Sequence, residues 1–222
     1  KSISIWIFIV PFLAINTCLI LITNFHELFP NKEHIIHNTI PYIDGGASIS
    51  RTARVFPTYL IFKPAMFLTA YLLIKYWLYI KKIILNIHGE HKNLRKILIF
   101  GIGSAICLII HSIFLGIKFD YDLYKLFRRV IMLVFIIFEV VAQAYLVITL
   151  YSIKNKLLSF INLKFLKLKA ILVSILVFVM IVSIPIVSMP GNKHIKHALE
   201  WDFFLGVILF YVLTFFMWKK QS

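Results

Sequence analysis

Carboxylates are scarce in this chain. Only 9 Asp and Glu stand against 24 Lys and Arg in 222 residues, and charged residues of both signs make up 15%. A soluble domain is about half apolar and about a quarter charged, whereas here 61% of residues are hydrophobic and the mean hydropathy is +0.91. That balance excludes an ordinary soluble domain and points to an integral membrane protein. Cysteine is nearly missing. Cys18 and Cys107 both fall inside apolar runs, which argues against a disulfide framework and leaves no cysteine-spaced metal motif. Catalytic signatures are missing too: there is no Ser/His/Asp order, phosphate loop or kinase-like motif, so nothing compels an enzyme.

The net charge of +15 would suggest nucleic acid in a soluble protein. In a membrane protein, lysine and arginine instead collect in cytoplasmic loops as topology signals, and no nucleic-acid partner is expected. Hydropathy marks six spans at about 3–25, 57–80, 97–117, 130–152, 170–189 and 199–218. The expected fold is all-α, a six-transmembrane-helix bundle forming one domain over 1–222 with a long outer loop at 26–56. A β-barrel would show short alternating segments instead. The first apolar run is too long for a signal core and lacks a small-residue cleavage site, so it reads as a span. Pro11, Pro64 and Pro185 fall within spans, where proline kinks a helix.

Orientation follows from the connections. "KKIILNIHGEHKNLRK" (81–96) and "KNKLLSFINLKFLKLK" (154–169), with Lys1, Lys219 and Lys220, place the basic residues on one side. The positive-inside rule makes that side, and both termini, cytoplasmic. The part "LLSFINLKFLKLK" is either an interfacial amphipathic helix or a basic loop. "GIGSA" (101–105) opens a span rather than a strand-to-helix turn, so its small residues suit close helix packing rather than a dinucleotide.

An ionisable side chain inside a span costs about 3 kcal/mol or more at the bilayer centre. Glu139 lies near the midplane of the fourth span with Gln143 one turn on, and Asn16 is mid-span in the first helix. The three form either an interhelical hydrogen-bond group or a proton or ligand site. Nearer the outer side come Lys63, His111, Glu200 and Asp202. Pairing Lys63 with a carboxylate would offset the burial of both; snorkelling of Lys63 and ordinary first-turn acids are the plainer readings. His34 with His37 and His194 with His197 repeat an i, i+3 spacing that could ligate zinc beside Asp44. No HExxH or cysteine signature accompanies them, and no metal or cofactor is assigned.

The longest polar interruption is "PYIDGGASISRTARVF" (41–56), in the outer loop. Its start, Pro41, Tyr42, Ile43, Asp44 and Gly45, with Phe56 at the second span, resembles a run of the DRAM/Frag/Sfk family of six-span membrane proteins. In the last span Glu200, Trp201, Gly206 and "YVLTF" (211–215) are similar to that family's Glu-Trp pair, later glycine and aromatic ending. His194 or His197 stands where the family has a histidine. The family's serine after "PYI" is Asp44 here, "SISRTARV" replaces its Pro-rich segment, and its fourth span opens differently from "YKLFRR". The resemblance implies a distant member with lipid-linked functions: lipid organisation or sensing, or modulation of autophagy and trafficking. Membrane lipids are then the expected partners, with Arg51 and Arg54 near phosphates, for which the guanidinium fork is suited. Two other classes stay open: a lipid-modifying enzyme using Glu200, Asp202 and a histidine, and a small transporter using Glu139.

Overall fold

The computed structural model describes residues 1–117, 121–189 and 191–219. Among these described residues nine α-helices follow in chain order: α1 (Ser2–Asn24), α2 (Pro41–Asp44), α3 (Ile49–Ala53), α4 (Tyr59–His88), α5 (Leu94–Phe114), α6 (Asp122–Ser152), α7 (Lys154–Leu157), α8 (Leu163–Ser188) and α9 (Lys193–Met217). Six of them, α1, α4, α5, α6, α8 and α9, are long and apolar enough to cross a membrane. An all-helical chain suits that setting, because a helix satisfies its own backbone polar groups where no water can. Pro11, Pro64 and Pro185 lie inside α1, α4 and α8, as expected.

Every span is present, yet several helices outrun their apolar cores. α4 continues through Lys81 and Lys82 to His88, and α6 begins at Asp122 rather than near 130. α9 starts at Lys193, six residues before the apolar run. Of "LLSFINLKFLKLK", residues 158–162 connect α7 to α8 and "LKFLKLK" forms the first two turns of α8. Hydropathy reports where hydrocarbon ends, whereas a helix continues while its next hydrogen bond can form, and lysine and arginine are good helix formers. The connection between α5 and α6 lies partly, and Lys220 wholly, outside the described residues.

The spans form a ring in chain order. α1 packs on α4, α4 on α5, α5 on α6, α6 on α8 and α8 on α9, and α9 closes the ring against α1. Both ends of the chain therefore lie at one end of the bundle, where the Lys1 amine sits 5.0 Å over the Phe215 ring. At this termini end the segment after α7 is stitched to the chain's last turn. Asn162 N–H donates to Met217 O at 2.8 Å and Lys219 N–H to Phe160 O at 2.9 Å. The opposite, loop end carries 26–56.

The small residues of "GIGSA" do allow close packing. A Cβ on Gly101 would stand 2.4 Å from the buried Trp77 ring, and one on Gly103 would stand 2.7 Å from Phe138. Outward faces stay apolar, with Leu13, Leu68, Phe178 and Ile184 exposed, as expected of surfaces that meet hydrocarbon.

Candidate functional site: a docked loop over a central cavity

The loop is ordered from within by Asp44. Its Oδ1 accepts from the Thr39 hydroxyl at 2.6 Å and from Gly46 N–H at 2.8 Å, while Oδ2 accepts from Ile40 N–H at 2.7 Å. These donors, Thr39 first, hold the Asp44 carboxyl below its ordinary value. Pro41 opens α2 with its φ already helical. Gly45 ends it at φ +60, and a Cβ there would fall 1.8 Å from the His194 carbonyl oxygen. Only glycine meets both demands.

One face of α9 reads the loop's backbone. His194 Nδ1 lies 3.1 Å from Asp44 O, His197 Nδ1 lies 2.9 Å from Gly45 O, and Trp201 Nε1–H donates to Ala47 O at 2.8 Å. A carbonyl only accepts, so both histidines carry the proton on Nδ1. The spacing i, i+3, i+7 keeps the three side chains on one helix face. Tyr42 adds an edge-on contact to the Trp201 ring at 4.9 Å and donates its hydroxyl to Asn16 Oδ1 at 3.2 Å, which ties α2 to α1. Glu200 accepts from the backbone N–H of Ser50 and Ile49 and so caps α3 from outside. The Ser48 hydroxyl takes the next donor, Arg51 N–H, at 3.2 Å.

Beneath the loop the ring holds a partly open cavity of about 60 Å³. A water needs about 10–15 Å³ measured this way, so there is room for several waters or a slender chain. Its wall is drawn from α1, α3, α4, α5, α6 and α9 and is mainly Ile, Leu, Met and Phe. The polar groups on it are few. His111 and Glu200 lie toward the loop end; Glu139 and Tyr211 lie deeper.

Glu139 sits in a dense polar group. Its Oε1 accepts from the Tyr211 hydroxyl and, at 3.1 Å, from Gln143 Nε2, while Oε2 lies 2.6 Å from Ser104 Oγ. Gln143 gives its second proton to Val207 O at 3.2 Å. Toward the termini end, Lys169 is fully buried. Its amine donates to Thr214 Oγ1 at 2.8 Å and lies 3.8 Å from the centre of the Phe210 ring. The Tyr76 hydroxyl is 3.5 Å from the same Thr214 oxygen, so α4, α8 and α9 share this second polar point.

Three arginines gather at the loop end. Arg54 is partly desolvated and feels the charges of Arg128 and Arg51, and these effects, burial first, lower its pKa. Arg128, on α6, also stands near enough to His111 for their charges to interact. Its Nε is buried without a hydrogen-bond partner. Met132, one turn deeper than Arg128, lines the cavity, as does Ile49 two residues before Arg51.

Several expectations change here. Asn16 does not join Glu139. It donates to Phe12 O at 2.8 Å and accepts from Tyr42, because it lies about two turns from the loop end of α1 whereas Glu139 is far deeper in α6. Lys63 gives its amine to Ile113 O at 3.3 Å rather than to Glu200 or Asp202. Asp202 is exposed. His194 and His197 are spent on loop carbonyls, and among the described residues no three His, Cys, Asp or Glu side chains are grouped to hold a metal ion. Of the family-like residues, Ile43 and Phe56 are exposed, while Gly206 admits Leu176 of α8, whose Cδ2 would stand 2.8 Å from a Cβ.

Sequence reasoning missed Lys169, counted among loop lysines, and with it Ser104, Tyr211, Thr214, Tyr76 and Arg128. A signal for Lys169 was present. It shares a helix face with Leu166 three residues before and Val173 four after, both buried. No family model, curated protein or solved structure matches the chain.

Proposed function

We propose that this chain is a non-enzymatic, multi-pass membrane protein that binds an anionic phospholipid from the leaflet at its loop end. The phosphate is held by Arg51, Arg54 and Arg128, and an acyl chain enters the central cavity. The observation that carries this reading is the Arg128 Nε, buried and unpartnered in a cluster of three guanidinium groups one turn above the cavity wall. Three like charges crowded at one place need an anion to be comfortable, and the guanidinium fork matches phosphate.

Both termini are cytoplasmic in this reading, because Lys81, Lys82, Lys92, Arg95, Lys96, Lys154, Lys156 and Lys164 belong to the termini end. Distant membership of the DRAM/Frag/Sfk family is part of the proposal. It is supported by the way the two halves of the resemblance meet, since Asp44 and Gly45 are bonded to His194 and His197 and Tyr42 lies against Trp201.

Native mass spectrometry of the detergent-purified protein tests the reading. Wild type should retain phospholipid, and Arg51→Ala with Arg54→Ala, or Arg128→Ala alone, should lose it. A charge-assisted hydrogen bond is worth about 1.5–3 kcal/mol, so each loss should weaken affinity about tenfold or more. Equal phospholipid retention in all three proteins would sink the proposal.

A further inference from the structure

Proton counting at Glu139 separates the two readings that its place in the span left open. Ser104 has one hydroxyl proton but two oxygens within bonding distance, Glu139 Oε2 at 2.6 Å and Gly101 O at 2.8 Å. A carbonyl cannot donate. Each bond has a proton of its own when Ser104 donates to Gly101 and receives a proton from Glu139; the alternative is one hydroxyl proton shared between two acceptors. Oε1 is unsuited to carry that proton, because it already accepts from Tyr211 and Gln143. The amide cannot be turned round to supply the missing charge balance, since Nε2 faces two acceptors, Glu139 Oε1 and Val207 O.

The groups around the carboxyl contribute no cation. α4 presents Tyr76, α5 presents Ser104 with His111 further along the same cavity, α6 presents Gln143, and α9 presents Tyr211 and Glu200. The Lys169 amine of α8 is directed to Thr214 and the Phe210 ring instead. An ionised carboxylate held by neutral donors alone in the middle of a span is costly. A protonated one gives Ser104 a donor for each of its two short contacts and leaves only Gln143 Oε1 without a partner.

We propose that Glu139 is a proton-binding site, a neutral carboxylic acid set in the cavity wall with its Oε2–H donated to Ser104. The bound ligand is the proton itself. Its chemical consequence is that the deep end of the cavity meets a neutral wall, compatible with an uncharged chain, and turns ionic when the proton leaves. If the lipid reading holds, chain occupancy and proton occupancy favour each other by linkage. The proton site does not depend on that reading.

Infrared spectroscopy of the purified protein, with 13C at the Glu carboxyls to separate them from ester carbonyls, reads the site directly. At neutral pH wild type should show the C=O stretch of a protonated carboxyl that shifts on deuteration and disappears in Glu139→Gln. Ser104→Ala should keep the band but move it, because the acid proton loses its acceptor. Loss of a carboxylate stretch, with no C=O band lost, in Glu139→Gln would overturn the site and mean that Ser104 shares its single proton between two acceptors. Should Glu139→Gln fail to fold, Glu200→Gln serves. A protonated-Glu band that survives in it supports the site, and none at all overturns it. Lipid retention plays no part in these readouts, so failure here is distinguishable from failure of the lipid proposal.

Discussion

Trp201 on the last span donates its indole N–H at 2.8 Å to the carbonyl of Ala47, 154 residues earlier in the chain. Both are fully buried. With the two histidine contacts above it, this bond holds the loop as a lid at the loop end of the ring.

Trp201→Phe keeps an aromatic ring and removes the donor. It should cost about 1–3 kcal/mol, the range for leaving a buried acceptor unpaired, whereas Trp201→Ala should cost about 3–5 kcal/mol through lost packing. Thermal unfolding in one detergent orders the variants. Limited proteolysis should cut Trp201→Phe faster within 26–56 while the spans stay intact; unchanged cleavage would mean that the loop is held elsewhere.

Gly45→Ala tests the close approach to His194. Positive φ alone costs a non-glycine residue about 1–2 kcal/mol. Gly89, at φ +80 and ψ −155 with nothing within 4 Å of a Cβ, offers a control that carries backbone strain of its own but no contact. Gly45→Ala should destabilise clearly more than Gly89→Ala, and loop cleavage should rise only in the former. Equal effects would remove the contact from the account.

Asp44 makes the loop acid-sensitive. Its folded-state pKa is depressed below 3.8 by the Thr39 hydroxyl and then the Gly46 and Ile40 amides. A depressed carboxyl contributes stability that is present above its unfolded value and lost as pH falls through the folded one. Hydrogen exchange of the loop amides should therefore quicken, relative to the intrinsic rate, as pH falls below about 4. In Asp44→Asn protection should be weaker at neutral pH and independent of pH in that window.

Lys169 and Thr214 can be separated by shape. A buried amine whose one hydrogen-bond acceptor is a hydroxyl is costly to keep away from water, so Lys169→Met should leave the melting temperature unchanged or raised. Thr214→Val keeps the volume, strands the amine and should cost about 1–3 kcal/mol. Lys169→Met melting as low as Thr214→Val would show that the amine itself holds α8 to α9.

The six long apolar helices were legible because their outward and ring-facing surfaces are both apolar, so hydropathy marks each helix whatever its neighbours. Charge said less. Lys169 belongs to a run of lysines that the positive-inside rule assigns to a loop, and only the buried face it shares with Leu166 and Val173 separates it from Lys164 and Lys167. Glu139 with Gln143 was legible because i, i+4 neighbours meet on any helix. Ser104 and Tyr211 were not, since they reach Glu139 from other helices and nothing local fixes the rotation of α5 and α9. His194 and His197 drew attention through a metal-like spacing that serves a different end, the capture of two carbonyls.

The lid also sets an order of events. Asp44, Gly45 and Ala47 leave the ribosome some 150 residues ahead of the side chains that bind their carbonyls, and chains acquire structure from the N-terminus as they are made. The loop must therefore wait undocked while α4, α5, α6 and α8 are laid down, its backbone groups served by water. Closure of the cavity then waits for the sixth helix, and a nascent chain halted before it would leave that chamber roofless.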